Sequence, residues 1–291
     1  MTRRSLALTG AMSAVMLGLA ACGGAASGSD ASTDDAASAN ASDGEARKLV
    51  VFAAASLTES LSAVGELFEG AHDGVTLSFN FDSSGTLERQ IEEGADCDVF
   101  FSAGQAQMDQ LDAQAASGND EGLDLIDHST RLDILENKVT LCVPEGNPQS
   151  ILSFEDMARR MADHDILLGM GNADVPVGQY AQRILAYFGL DEEDLASAGC
   201  ITYGSNTKEV TLQVSEAAVD CGVIYRTDAT SAGLTMVDEA TEDMCGRVVY
   251  PVAATKAARQ PELARSFLDF LKTEDARDCF AKVGFVPLAE A

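Results

Sequence analysis

Lys48-Leu49-Val50-Val51-Phe52-Ala53-Ala54-Ala55-Ser56-Leu57-Thr58-Glu59 decides the fold of this chain. Its first half is an unbroken apolar run of strand length, the mark of a strand buried on both faces. It passes directly into Ser56-Leu57-Thr58-Glu59, a helix start. The pattern then repeats. Val75, Leu77, Phe79 and Phe81 alternate as a strand, and Asp82-Ser83-Ser84-Gly85-Thr86-Leu87-Glu88 opens a second helix. Two small hydroxyl residues, Ser56 and Ser84, therefore stand at two strand-to-helix junctions. Such junctions expose backbone N–H groups that have no helical partner, together with the positive end of the helix dipole. A pair of them can cradle an oxyanion without any charged side chain.

Working outward, Leu57, Leu61, Val64, Leu67 and Phe68 fall at helical spacing, so 57–70 reads as an amphipathic helix. Asp98-Val99-Phe100-Phe101-Ser102 is a short buried strand, and Met108 and Leu111 mark the helix after it. This β-α-β-α-β order implies a parallel sheet covered by helices. Residues 131–143 form a long extended stretch that ends at Pro144-Glu145-Gly146-Asn147-Pro148, a turn. A second alternating set follows, with a helix over 153–161 capped by Ser153, a strand over 166–170, helices over 179–188 and 208–219, and a strand over 221–225. A second extended run, 247–255, precedes two C-terminal helices. Two extended segments flanking one α/β set describe a domain inserted into another, with the ligand between them. The expected lobes are 47–130 plus 249–291, and 131–248.

The N-terminus reads as a signal peptide over 1–21: a basic start at Arg3 and Arg4, an apolar stretch from Leu6 to Leu19, then Leu19-Ala20-Ala21-Cys22-Gly23. That last tetrapeptide ending in cysteine resembles a bacterial lipobox, which makes Cys22 the lipidation site. Residues 22–46 are almost entirely Ala, Ser, Asp, Gly and Thr, without large apolar side chains until the fold begins, and read as a flexible linker. The protein is then exported and anchored to the cell membrane, facing away from the cytoplasm.

The formal net charge is −28, which argues against nucleic acid as a partner. Screening over roughly 8–10 Å leaves a local, desolvated anion cradle compatible with that acidity. Six cysteines remain beside Cys22, namely Cys97, Cys142, Cys200, Cys221, Cys245 and Cys279. Outside the cytoplasm an even number permits disulfides, but several lie in apolar runs where buried free thiols fit equally well. His72, His128 and His164 are scattered without metal-ligand spacing and read as surface residues. Neither a Gly-x-Ser-x-Gly elbow nor a phosphate-binding Walker loop occurs, so no enzyme activity is indicated.

Several segments carry a resemblance. Val51 to Thr58, Ser83 to Ile91, Ala95 to Ala103, Val175-Pro176-Val177-Gly178-Gln179-Tyr180-Ala181, Gly222-Val223-Ile224-Tyr225 and Tyr250-Pro251-Val252-Ala253 together resemble the molybdate-binding proteins of bacterial ABC transporters, the ModA family. The resemblance implies a two-lobed α/β fold of the type II periplasmic-binding-protein class, each lobe a mainly parallel sheet flanked by helices. It implies that the lobes close over molybdate or tungstate, held by neutral hydrogen bonds alone, with no cofactor. Molybdenum would be bound only as its oxyanion. Ser56 and Ser84 would each give a hydroxyl and a backbone N–H, Val177 and Thr207 a backbone N–H, and Tyr225 its phenol. The family more often has alanine at Val177, valine at Thr207 and a third serine at Gly85; the threonine would add a hydroxyl. Partners would be the permease and ATPase of an importer, and the protein is expected to be monomeric.

Residue by residue, simpler roles compete. Ser56 with Glu59 three positions on also fits a capping box, and Tyr225 on a buried strand fits an ordinary core tyrosine. Other functions stay open as well: binding of another tetrahedral dianion such as sulfate or thiosulfate, a thiol-based envelope protein, or an anion sensor that signals to a membrane partner.

Overall fold

The computed structural model describes residues 47–288. The signal peptide, Cys22 and the linker lie outside the described residues. In chain order the first part contains β1 (Arg47–Ala54), α1 (Thr58–Ala71), β2 (Val75–Asp82), α2 (Ser84–Glu92), β3 (Val99–Phe101), α3 (Gln105–Leu111) and β4 (Leu132–Asn137). The middle contains β5 (Val139–Val143), α4 (Phe154–Ala162), β6 (Leu168–Gly171), α5 (Pro176–Tyr187), α6 (Glu192–Ser197), β7 (Ile201–Gly204), α7 (Thr207–Ser215), β8 (Cys221–Tyr225), α8 (Arg226–Ala232), β9 (Thr235–Glu239) and α9 (Glu242–Cys245). The chain returns through β10 (Val248–Ala254), α10 (Pro261–Phe270), α11 (Glu274–Lys282) and β11 (Val286–Pro287).

These strands build two sheets. The first has the order β11-β4-β10-β3-β1-β2 and the second β7-β6-β8-β5-β9. The expected β-α-β units are present: β1 pairs in parallel with β2 and β3, and β6 in parallel with β7 and β8. Antiparallel pairings enter with the strands that carry the chain between sheets. Strand β10 runs antiparallel to β3 and β4, and β5 antiparallel to β8 and β9.

The stretch 131–143 is not one extended segment of the second lobe. Its first half, β4, pairs with β10 and β11 in the first sheet. Its second half, β5, belongs to the second sheet. The break falls at Asn137 and Lys138, where the Asn137 side chain accepts the Lys138 N–H at 2.9 Å and so turns the backbone.

Apolar burial explains the elements. In β1, Leu49, Val51, Phe52, Ala53 and Ala54 are all buried, as expected for a strand with covered faces. In α1, Leu61, Val64 and Phe68 are wholly buried, while Leu67 is exposed, so the buried stripe is narrower than the apolar content suggests. Fully burying side chains of this size contributes about 1.5–3 kcal/mol each. Among the histidines, His164 is exposed, whereas His72 and His128 are half-buried. His128 bonds the buried Asp112 carboxylate at 2.7 Å.

Candidate functional site

The strand-to-helix junctions after β1, β2, β6, β7 and β8 converge on one small cleft. It is lined by Ala54, Ala55, Ser56, Asp82, Ser83, Ser84, Ala103, Val175, Pro176, Thr207 and Tyr225 and leaves about 10 Å³ of room for a water-sized sphere. No lysine or arginine lines it. That space is below the roughly 300–1,000 Å³ typical of sites for organic ligands, which favours a small ion. A larger groove of about 590 Å³, beside β4 and α11, shares no residue with it.

Ser56 sits in a 3-10 turn, Ala55–Leu57, and does not cap α1. The capping box does not form, because Glu59 reaches instead to Lys208. The Ser56 hydroxyl lies 2.9 Å from the Tyr250 phenol. Either oxygen can be the donor, and Asn137 bears on which. Its carbonyl oxygen accepts from the Lys138 N–H, so its amide nitrogen donates to Tyr250 at 3.1 Å and to Thr227 at 2.9 Å. The Tyr250 oxygen is thus an acceptor for Asn137, and its own proton is available to Ser56 Oγ. With the bond in that sense, Ser56 keeps its proton for the cleft.

Ser84 reaches the same state by another route. Ser83, not Ser84, is the N-cap of α2, its Oγ accepting the Thr86 N–H at 3.1 Å. Ser84 Oγ accepts the Ala103 N–H at 2.9 Å, which leaves the Ser84 proton unspent. Its backbone N–H, at the first helical position, has no partner within the helix.

The second sheet contributes differently. Pro176 starts α5 and supplies no N–H, so Val177 presents one of the first unpaired donors of that helix. The Val177 side chain is buried away from the cleft, whose wall there is Val175 and Pro176. Thr207 starts α7, capped by Asn206, whose side chain accepts the Glu209 N–H at 3.1 Å. The Thr207 hydroxyl does not add a free donor. It donates to Asp228 Oδ2 at 3.0 Å. Tyr225 ends β8 and donates to the Ala103 carbonyl at 3.3 Å, a long bond across the cleft. Burial pushes the Tyr225 and Tyr250 phenols well above their usual range, so both stay protonated.

Sequence reasoning missed three participants, Tyr250, Asn137 and Asp228. Asp228 is fully buried, and burial raises its carboxyl against the opposing pull of Lys208. Asp82 also lines the cleft, with its carboxylate turned back to the Ser83 N–H at 2.7 Å.

The six cysteines are all free and buried. Burial pushes the thiols of Cys97, Cys221 and Cys245 upward, and that of Cys142 to about 11. A reactive thiol needs the opposite shift, so the envelope-thiol reading has no support here.

The model of the family described as bacterial extracellular solute-binding protein matches residues 49–286. The molybdate-binding protein ModA of Mycobacterium tuberculosis is 33% identical over 279 residues, covering 95% of this chain and 96% of that one. The chain belongs to the ModA family of bacterial extracellular solute-binding proteins. Members of this family bind solutes for ABC transporters and are not enzymes. The substrate-binding domain of a molybdenum ABC transporter from Clostridium difficile matches this ModA-family chain with a TM-score of 0.60 and 28% identity, covering 83% of this chain and 99% of that one. The sulfate-binding protein SubI of Mycobacterium tuberculosis shares the two-lobed fold, with a TM-score of 0.67 at 17% identity, over 83% of this chain and 87% of that one.

Proposed function

We propose that this protein captures molybdate, and tungstate with it, in the cleft between its two sheets and delivers the anion to the permease and ATPase of an ABC importer. The lobes are the segments around the first sheet, which includes β4, and the second sheet, joined at Asn137–Lys138 and between α9 and β10. Cys22 carries a lipid that anchors the exported protein to the membrane, and the protein acts as a monomer. Ser56, Ser84, Val177, Thr207 and Tyr225 supply the donors.

The observation that carries this reading is the polarity of the cleft. Ser84 has an acceptor lone pair occupied by the Ala103 N–H proton, Ser56 is in the same state when Tyr250 donates to it, and no cation lines the site. A shell built this way suits an ion that only accepts hydrogen bonds. Molybdate is such an ion at neutral pH. Hydrogen phosphate carries a proton that needs an acceptor. The Asp82 carboxylate is turned back to the Ser83 N–H, and an unmatched buried proton costs about 1–3 kcal/mol. Sulfate has the same charge as molybdate but is smaller, so fixed donors stand too far from its oxygens.

Calorimetric titration of the purified protein with molybdate, tungstate, sulfate and phosphate tests this. Sub-micromolar binding of the first two, about −8 kcal/mol or better, with neither of the others, is expected. Tight binding of sulfate replaces molybdate in the same cleft. No binding of any of them removes the oxyanion reading.

A further inference from the structure

The cleft is spanned by an ion-pair chain that touches three of the five proposed donors' helices. Lys208 follows Thr207 at the start of α7, in the second lobe. Its ammonium meets both oxygens of Glu59 at 2.8 Å. Glu59 lies in the first turn of α1, three residues beyond Ser56, in the first lobe. The same ammonium lies 3.2 Å from Asp228 Oδ1, on the first turn of α8, three residues beyond Tyr225. Asp228 Oδ2 in turn accepts the Thr207 hydroxyl.

Two facts separate this chain from an ordinary surface pair. Its inner end is wholly buried, and Asp228 Oδ1 has no hydrogen-bond partner, so Lys208 is what compensates it. Its outer end crosses between lobes, whereas Thr207, Lys208 and Asp228 all belong to the second. Opening the cleft therefore parts Lys208 from Glu59 while Lys208 stays with Asp228. A second crossing lies on the Ser84 side, where Asp174 accepts the Gly85 N–H at 3.1 Å and pairs with Arg89 at 2.9 Å. The two crossings hold the cleft at opposite walls.

We infer that Lys208 and Glu59 are positioning residues that latch the closed form and set how long the anion is retained. The inference rests on the molybdate reading for its ligand, but the latch itself is a property of the two lobes.

The sign of one substitution decides it. Glu59→Gln removes a negative charge near the site. If charge alone mattered, the dianion would be held longer. If Glu59 is a latch, release speeds up. The measurement is the dissociation of preloaded radiolabelled molybdate, chased with unlabelled molybdate. About fivefold faster release is expected for Glu59→Gln, equal to about 1 kcal/mol, with wild-type behaviour largely restored in Glu59→Asp. Release at the wild-type rate or slower overturns the latch. Lys208→Met is the weaker test, because it leaves Asp228 buried without its cation and endangers folding. Small-angle scattering on ligand-free wild type and Glu59→Gln gives a readout that needs no molybdate. A larger radius of gyration in the variant is expected, and an unchanged radius overturns the latch. A wild type that retains no molybdate instead removes the proposed ligand, and the scattering result still decides the latch.

Discussion

The two walls of the cleft handle their protons in opposite ways. On the first-lobe wall, Ser84 receives a hydrogen bond from the Ala103 N–H and keeps its own proton, and Ser56 does the same when Tyr250 is the donor between them. On the second-lobe wall, Thr207 and Tyr225 have already committed theirs, to Asp228 and to the Ala103 carbonyl. The first wall is preorganised for an anion. On the proposed reading the second offers the backbone donors at the starts of α5 and α7, and its phenol would have to exchange a 3.3 Å bond for the ligand. Preorganised donors cost no rearrangement on binding, so most of the binding strength should reside in the first wall.

The largest test of this contrast removes the fit between the walls. Gly85 has no room for a Cβ, which would run into the Asp174 carbonyl oxygen. Gly85→Ser should prop the cleft open and weaken molybdate binding by up to about 150-fold, given the ~1–3 kcal/mol that overpacking costs. Unchanged affinity by calorimetry would show that the walls meet differently. Next comes a direct comparison of hydroxyls. Ser84→Ala should lose about 10- to 100-fold in affinity, since a bond to a charged partner contributes about 1.5–3 kcal/mol. Thr207→Val should lose far less affinity but lower the melting temperature, because it strands the buried Asp228. Equal affinity losses would break the contrast.

A smaller effect is expected from Tyr250→Phe. It removes the phenol that bonds the Ser56 hydroxyl without touching the ligand, and about a fivefold loss should follow, near 1 kcal/mol. The smallest effect concerns the helix behind Ser84. Glu88 on α2 is buried, and burial, then its neighbour Glu92, pushes its carboxyl up to about 8. A carboxyl raised in the folded state binds more protons there than in the unfolded chain. Stability should therefore fall as pH rises from about 4.5 towards 8. Gln110 tempers this, since its amide nitrogen, suitably turned, donates to the Glu88 carboxylate. Melting curves of Glu88→Gln across that window should lose part of the slope, with molybdate affinity unchanged.

Most elements were legible because their apolar residues keep a strict period. The strand over 221–225 and the Ser153 cap appear where the sequence places them. The edge strands β7 and β9 were not legible. Both are largely exposed, so no alternation of apolar residues marks them. In the site, Ser56 and Ser84 could be read because a strand-to-helix junction is a local pattern. Their donor state could not. Tyr250 lies 194 residues from Ser56, and Asn137 lies 113 residues from Tyr250, so only folding brings the three together. Likewise, nothing local to Asn206-Thr207-Lys208 shows that the threonine hydroxyl is spent on a buried carboxylate.

The six buried thiols carry a consequence for the life of the molecule. Once folded, each is hidden from the oxidants met outside the cytoplasm, and none is needed as a cross-link. The hazard is confined to the interval between export and folding, when all six are exposed together and any two can be joined wrongly. For this chain, oxidative damage is a matter of timing: it threatens the thiols before the core closes over them.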